Sequence, residues 1–252
     1  MQIILAVYVV LVGLAIGSFL NVLIYRIPLK ITVVKGSSFC PNCSHKLIWI
    51  DLFPVFSYLF LLGKCRYCKA KISPRYMLVE LLNAICYFIL YTNYGFQLVT
   101  LVYAICCSCL IVVAFIDIDH GIINDRFNII IGICAVVLVI FSNDISWVTR
   151  VIGLFSISVP LLIVAILTNG IGEGDIKLFA AIGLLIGWKL NLLTILMASI
   201  LASIYGISLI IIKKQNGKTQ IPFGPFISFA AIIAVLYGNN IINSYLSLIG
   251  LS

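Results

Sequence analysis

The sequence predicts an all-α polytopic membrane protein with about eight transmembrane helices and a small zinc-binding cytoplasmic subdomain between the first two. Its 252 residues are 63% hydrophobic and only 10% charged, whereas soluble domains carry about 25% charged residues. A soluble fold of this length could not bury so much apolar surface. The apolar residues form runs of membrane-spanning length. Two CxxC pairs mark the long polar and basic interruption at 27–74.

Eight apolar runs supply the predicted spans, since a membrane helix needs about 20 such residues. The first run contains Gly13 and Gly17 at a four-residue spacing, which permits close helix contact. The sixth is short. A further apolar stretch at 47–62 contains Asp51 and Pro54, and we interpret it as the core or the interfacial face of the subdomain. The runs lie at 3–25, 76–91, 97–116, 127–141, 147–167, 177–188, 190–212 and 223–248.

The basic residues predict the orientation. The net charge of +8 does not indicate nucleic-acid binding, because the charges follow the positive-inside rule. Fourteen of the sixteen Lys and Arg fall in four predicted inside loops, and only Arg150 and Lys189 fall outside. Both termini are then outside, and no cleaved signal peptide is expected because no basic residue precedes the first run. The inside loops are 26–75, 117–126, 169–177 and 213–218.

The four cysteines of the subdomain predict a metal centre. Cys40 and Cys43 form one CxxC pair, and Cys65 and Cys68 form a second pair after 21 intervening residues. Such pairs can place four thiolates around one Zn²⁺, and four protein ligands leave no open position for catalysis. We therefore predict a structural zinc ion that stabilises the subdomain. The alternative is four free thiols or redox-active pairs. The other five cysteines lie in apolar runs and are expected to pack as small hydrophobic residues.

The acidic residues are few and concentrated. Five of the eight lie in two predicted inside loops at membrane edges, among them Asp117 and Asp175. Gly172 and Gly174 flank the second site and let the backbone approach an extended segment closely; a bound peptide is one candidate. GEGD lacks the pattern of a phosphate-binding loop. Two carboxyl groups that share a proton can hydrolyse an amide without metal.

Two other functions fit parts of this pattern. Carboxylates at membrane depth also occur in transporters and channels, where they bind cations. That function favours polar residues near the middle of the spans, and these spans have almost none. A membrane methyltransferase without protease activity is the third alternative.

Seven motifs occur in one order along nearly the whole chain. They are GSFLNVLIYRIP at 17–28, the CPNC and CRYC pairs, WIDLFPVFSYL at 49–59, ISPRYMLVE at 72–80, AFIDID at 114–119, GEGDIKL at 172–178 and IPFGPF at 221–226. With these motifs the chain resembles the type IV prepilin peptidases, which are GxGD-type intramembrane aspartic proteases of bacterial membranes. The segments 1–26, 27–75 and 76–252 then correspond to the first transmembrane helix, the four-cysteine zinc-binding subdomain and a seven-helix peptidase domain.

The resemblance implies a function and a site. Asp117 and Asp175 would be the catalytic pair, cutting basic leaders from type IV pilin-like precursors after a glycine, at the cytoplasmic face of the cell (inner) membrane. Such precursors serve pili, protein secretion or competence. Many similar proteins also methylate the new N-terminal residue with S-adenosylmethionine. This second activity rests on the resemblance alone, and no residue is assigned to it.

Two short segments outside the catalytic motifs, Asn124-Asp125 and IPFGPF, have predicted structural roles. Family members often have Pro-Asp after the first catalytic Asp, where this chain has Asn124 and Asp125. We expect Asn124 to preserve the turn and Asp125 to act as the N-cap of the next helix. The IPFGPF segment, with its two prolines and Gly224, predicts a tight entry to the last span. Its alternative role is a wall of the substrate site.

Overall fold

A computed structural model describes residues 2–33, 36, 38–142, 144–168, 170–213 and 221–250. The described chain is helical, with two isolated antiparallel bridges near the cysteines. It divides into two compact units, Met1–Phe96 and Gln97–Ser252. The helices are α1 (Gln2–Arg26), α2 (Phe56–Phe60), α3 (Arg75–Tyr94), α4 (Leu98–His120), α5 (Asp125–Phe141), α6 (Trp147–Ser156), α7 (Ser158–Thr168), α8 (Glu173–Lys213) and α9 (Gly224–Leu248); Trp49–Leu52 forms a 3₁₀ turn.

In the first unit α1 and α3 pack together along the small residues of α1. A Cβ added to Gly13 would lie 2.7 Å from the Cα of Ala84, and one added to Gly17 would lie 2.7 Å from the Cα of Glu80. The side-chain amide of Asn83 donates a hydrogen bond to the Gly13 carbonyl at 2.8 Å. The predicted close contact at these glycines is confirmed, and the order of the contacts makes the two helices antiparallel.

In the second unit α8 packs against α5, α6 and α9, and α4 packs against α5 and α9. Gly153 of α6 meets Gly183 of α8 backbone to backbone, so neither position has room for a side chain. α4, α8 and α9, which carry the predicted site, therefore belong to one packed group of helices.

Helix α8 reverses direction at Gly187, whose φ of 79° and ψ of 171° are not helical. The side-chain amide of Asn191 donates to the carbonyls of Phe179, at 3.3 Å, and Gly153, at 3.1 Å. In a straight helix residues 12 positions apart would be about 18 Å apart, so residues 173–186 and 188–213 form two arms of a helical hairpin. Arg150 binds the end of the first arm, donating to the carbonyl oxygens of Leu184 and Leu185.

Six helical segments among the described residues are long and apolar enough to cross a membrane. Two of the eight predicted runs, 177–188 and 190–212, lie within α8 and together form one of these six segments. The run at 127–141 lies in α5, which has 17 residues. The count of eight spans therefore stays a prediction. The predicted inside loop at 213–218 falls outside the described residues from position 214 onward. The six candidates are Ile3–Arg26, Arg75–Tyr94, Leu98–His120, Trp147–Thr168, Glu173–Ile212 and Gly224–Leu248.

Candidate functional site

Asp117 is a buried carboxylate in the last turn of α4, beneath the N-terminus of α9. The backbone N–H of Gly224, in the first turn of α9, donates to Asp117 Oδ2 at 2.9 Å. A Cβ added to Gly224 would lie 2.7 Å from the same oxygen. Glycine is therefore the residue that lets the α9 backbone reach this carboxylate. The IPFGPF segment thus contacts a predicted catalytic residue directly.

Asp175 lies in the first turn of α8. Its own carboxyl group accepts a hydrogen bond from the backbone of Gly172, and a Cβ on Gly172 would lie 3.2 Å from Asp175 Oδ2. The Asp117 and Asp175 carboxyl groups also interact electrostatically with each other. The fold thus brings together two acids that are 58 positions apart in the sequence.

The start of α8 is fixed against the loop that follows α4. A Cβ on Gly174 would lie 2.7 Å from the Cβ of Ile123. Lys177 Nζ and Asp125 Oδ2 form an exposed ion pair at 2.9 Å. The extended segment that Gly174 approaches is therefore the chain's own 122–124 stretch. Together these contacts set the position of Asp175 relative to the end of α4.

The prediction that Asp125 caps α5 is wrong. The N-cap is Asn124, whose backbone is extended and whose side-chain oxygen accepts the N–H of Arg126 at 3.1 Å. Asp125 is the first helical residue, which leaves its carboxylate free to pair with Lys177. Asn124 therefore both forms the turn expected of it and supplies the cap.

Two buried polar side chains of the second unit were not singled out from the sequence for any role in the interior. Arg150 was expected only as one of two basic residues outside, yet it is fully buried and pairs with Asp144 at 2.9 Å. Asn191 is also fully buried and holds the α8 hairpin. A polar residue inside an apolar run was the available signal, because burial in such a place requires a partner.

The four subdomain cysteines converge. Their sulfur atoms all lie within 4.8 Å of one another, and Cys40 Sγ is 3.9 Å from Cys68 Sγ. Zn–S bonds of about 2.3 Å place the sulfurs of a tetrahedral site about 3.8 Å apart. All nine cysteines are free thiols. The set Cys40, Cys43, Cys65 and Cys68 therefore fits a zinc ion in number, chemistry and spacing.

The two CxxC pairs occupy matching turns 25 residues apart. In the first, the N–H of Cys40 donates to the His45 carbonyl and Ser44 has a φ of 57°. In the second, the N–H of Cys65 donates to the Ala70 carbonyl and Lys69 has a φ of 60°. An antiparallel bridge closes each turn, Phe39 with Lys46 and Lys64 with Lys71. This local repeat was not recognised in the sequence, because the residues between the cysteines differ.

The surroundings of Cys43 and Cys68 shift the pKa values of these two thiols in opposite directions. The N–H of Ala70 and the side-chain amide of Asn42 favour the thiolate and lower the pKa of Cys68 to about 6. The N–H of His45 favours the thiolate of Cys43, but partial loss of hydration among the neighbouring atoms and the sulfurs of Cys40 and Cys68 outweigh it and raise the Cys43 pKa to about 11. Of these two thiols Cys68 is therefore the more readily deprotonated, and the deprotonated form is the one that binds metal.

The acidic residues of the first unit have internal partners. Asp51 pairs with Arg66 at 2.6 Å and accepts a hydrogen bond from Tyr67. Burial opposes ionisation of Asp51, but these hydrogen bonds outweigh it and hold its pKa below 3.8. Glu80 accepts a hydrogen bond from the backbone N–H of Val55 at 2.7 Å. The partner of the Glu80 carboxyl group is a backbone N–H because Glu80 is buried beside the 53–56 stretch.

A cavity of about 460 Å³ lies within the first unit, between α1, α3 and the cysteine subdomain. Its lining is mostly apolar and includes the polar side chains of Asn21, Asp51, Tyr76 and Glu80. A cavity of this volume is within the range of small-molecule sites.

Comparison with known proteins gives two family matches. Residues 11–94 match the bacterial peptidase A24 N-terminal domain, and residues 104–207 match the type IV leader peptidase family. The chain is 31% identical to a prepilin leader peptidase/N-methyltransferase of Aeromonas salmonicida, over 96% of this chain and 94% of the relative. It is 32% identical to a protein of the same name from Bacillus subtilis, over 94% and 96% of the two chains. No solved structure matches.

The chain belongs to the type IV leader peptidase family. It is a protease. As a type IV leader peptidase with six candidate membrane helices among its described residues, it is a multi-pass protein of the cell (inner) membrane. The two matched regions fall within the two compact units. The peptidase match contains both Asp117 and Asp175, and the N-terminal match contains all four clustered cysteines.

Proposed function

We propose that this chain removes the basic leader peptide from type IV prepilin-like precursors, with Asp117 and Asp175 as its catalytic pair. The juxtaposition of these two carboxyl groups in the matched peptidase region carries the proposal. The relatives are named prepilin leader peptidases. Two acids that interact in a partly buried site are the groups that amide hydrolysis without metal requires.

Hydrolysis would proceed with one proton shared between the two carboxyl groups. The ionised carboxylate takes a proton from water as the water oxygen bonds to the scissile carbonyl carbon. The protonated partner donates to the carbonyl oxygen, which becomes a hydroxyl of the tetrahedral intermediate. Collapse breaks the C–N bond, and the amine leaves with a proton from the pair. Because the two acids titrate together, neither role is assigned to one residue.

The surroundings of the pair suit this chemistry. The Gly224 N–H fixes Asp117 through one oxygen, and the Gly172 backbone fixes Asp175. Gly174 and Lys177 hold the start of α8 against the 122–125 segment. Both acids thus have fixed positions before substrate arrives, which lowers the entropic cost of reaching the transition state.

We place the pair at the cytoplasmic face, with both termini outside. The distribution of Lys and Arg among the loops supports this orientation. The precursor would then present its basic leader to the cytoplasmic ends of α4 and α8. Cysteine labelling from outside, at single sites introduced near positions 3 and 246, tests the orientation.

We assign N-methylation of the new N-terminal residue to the same chain, because the relatives' names include N-methyltransferase. S-adenosylmethionine would supply the methyl group. The first-unit cavity is the candidate site, since its volume and mixed lining suit a nucleoside ligand. Binding of radiolabelled S-adenosylmethionine that survives in an Asp117→Asn variant, but is lost when Met77→Trp fills the cavity, would support this assignment.

We also propose that the four cysteines hold a structural zinc ion. Their sulfur spacing supports this role, and four thiolate ligands leave no position for substrate. Metal analysis of reduced, purified protein is expected to give one zinc per chain. Purified protein that contains no zinc and is fully active would rule out a structural zinc ion at these cysteines.

The decisive experiment for peptidase activity is co-expression with a prepilin, followed by mass measurement of its N-terminus. Asp117→Asn and Asp175→Asn are expected to abolish cleavage while the protein stays inserted and folded. Asp119→Asn is the matched control, because Asp119 is exposed two residues beyond Asp117 on the same helix. Normal cleavage by either catalytic variant would rule the proposal out. The same mass reports whether a methyl group has been added.

A further inference from the structure

The segment 48–62 of the first unit exposes an unusual amount of apolar surface. None of the residues in its 3₁₀ turn or in α2 is buried. Trp49 is 76% exposed, Phe60 82% and Leu62 83%. Nine of its fifteen residues are large, exposed hydrophobic side chains: Ile48, Trp49, Ile50, Leu52, Phe53, Phe56, Leu59, Phe60 and Leu62. The sequence left open whether this stretch forms a core or an interfacial face, and the exposures exclude the core.

The segment is nevertheless held firmly from within. Asp51 binds Arg66 and Tyr67 of the second cysteine turn, at 2.6 and 3.1 Å. Glu80 of α3 accepts the N–H of Val55 at 2.7 Å. The polar groups of the stretch thus point to the protein while its large apolar side chains are left outside. A disordered loop would not fix its polar groups in this way.

We propose that segment 48–62 inserts into the interfacial region of an anionic lipid bilayer. Its neighbours place it there, because α1 ends at Arg26 and α3 begins at Arg75, and both are candidate spans. The subdomain is therefore tethered to the membrane at both ends. Short amphipathic elements with exposed aromatic and aliphatic side chains bind at the membrane interface.

Charge identifies the kind of lipid. Between positions 27 and 75 the chain has eight Lys and Arg and one acidic residue, Asp51, which is internally paired. Lys46, Lys64, Lys69 and Lys71 are exposed close to the segment in sequence. Basic residues beside an inserted apolar face are attracted to the negative charge of an anionic leaflet. A second copy of the chain would repel this positive surface, so lipid is the better occupant.

The test uses full-length protein in nanodiscs that contain phosphatidylglycerol. Trp147→Phe and Trp188→Phe leave Trp49 as the single tryptophan. Lipids brominated in the upper acyl chain are expected to quench Trp49 fluorescence more than lipids brominated near the chain end. Aqueous acrylamide is expected to quench it weakly. Strong acrylamide quenching with no effect of brominated lipid would overturn the proposal.

A second measurement avoids the tryptophan substitutions. Benzoyl-phenylalanine in place of Phe60 is expected to crosslink to lipid on illumination. The same group in place of Phe96, beyond the end of α3, gives the reference yield of lipid crosslinks. Crosslinks from position 60 to a second copy of the chain, or only to added prepilin, would assign the face to protein and reject lipid. Zinc content and a monodisperse elution profile confirm that each variant is folded.

Discussion

The backbone N–H of Gly224 donates to Asp117 Oδ2 at 2.9 Å, and a Cβ at that glycine would lie 2.7 Å from the same oxygen. This contact joins two motifs that are 107 positions apart. It explains why IPFGPF has a glycine where the last helix begins. The segment is therefore more than a tight entry, because its backbone holds a predicted catalytic carboxylate.

Replacing Gly224 with alanine is expected to reduce precursor cleavage by about 100-fold, since a displacement of about 1 Å at a reacting group has that effect. The protein is expected to remain folded, because the clash is with one side chain. Gly132→Ala is the control: it lies in α5 with no atom within 4 Å of the added Cβ. Cleavage assays of purified protein measure both. Equal activity of the two variants would show that the Gly224 contact does not position Asp117.

Replacing Arg150 with methionine is expected to lower the free energy of unfolding by about 3 kcal/mol. The change leaves the Leu184 and Leu185 carbonyls and Asp144 without their buried cation. Thermal unfolding in detergent measures the loss. Lys189→Met removes the same charge from an exposed position and is expected to change stability by less than about 0.5 kcal/mol. An unchanged midpoint for the Arg150 variant would mean that the hairpin needs no such partner.

Cys68 is expected to be alkylated by iodoacetamide before Cys43 in reduced, metal-free protein at pH 7. A lowered pKa keeps a thiolate above that value and loses it as the pH falls through it, so Cys68, with a pKa of about 6, is reactive at pH 7 and slows below pH 6. Cys43, with a pKa of about 11, stays protonated until strongly alkaline pH. Exposure alone favours Cys43, so peptide mapping that shows Cys43 labelled first contradicts the prediction.

Removing zinc, by chelation or by Cys40→Ser, is expected to loosen residues 27–75 and leave the chemistry of the Asp pair intact. The matching cysteine turns lose their common centre, and a subdomain of this size has little other core. Hydrogen exchange is expected to rise in 38–72 and to stay unchanged at the ends of α4 and α8. Cys86→Ser, within α3, is a control that removes a buried thiol outside the cluster. Protection of 38–72 that persists without metal would refute a stabilising role.

Much of this architecture could be predicted from the sequence. Apolar runs predict membrane helices because lipid requires them, and the spacing of Gly13 and Gly17 predicted a close helix contact. The cysteine spacing predicted a four-sulfur cluster. The local chemistry of GEGD and its neighbours marked Asp175 as unusual. In each case the signal is a short motif or a continuous run of residues that can be recognised along the chain.

Other features depend on distant contacts that a linear pattern does not encode. The runs at 177–188 and 190–212 predicted two spans joined near Lys189, but the residue at which the chain reverses, Gly187, and the contact from Asn191 back to Phe179 that holds the reversal come from the structure. The burial of Arg150 follows from carbonyl groups 34 and 35 positions away. Resemblance to a family suggested that Asp117 and Asp175 meet, whereas their spacing did not. The N-cap of α5 was misplaced by one residue because both Asn124 and Asp125 are good caps.

The reversal at Gly187 leaves the arm from Glu173 to Ile186 only 14 residues long. Such an arm rises about 21 Å, against about 30 Å for the hydrocarbon layer. If both ends of this arm reach the membrane surfaces, the hydrocarbon layer beside it is thinner by roughly a third. Water and a leader peptide would then reach the two carboxyl groups at a locally thinned part of the membrane, and neither would have to cross the hydrocarbon layer.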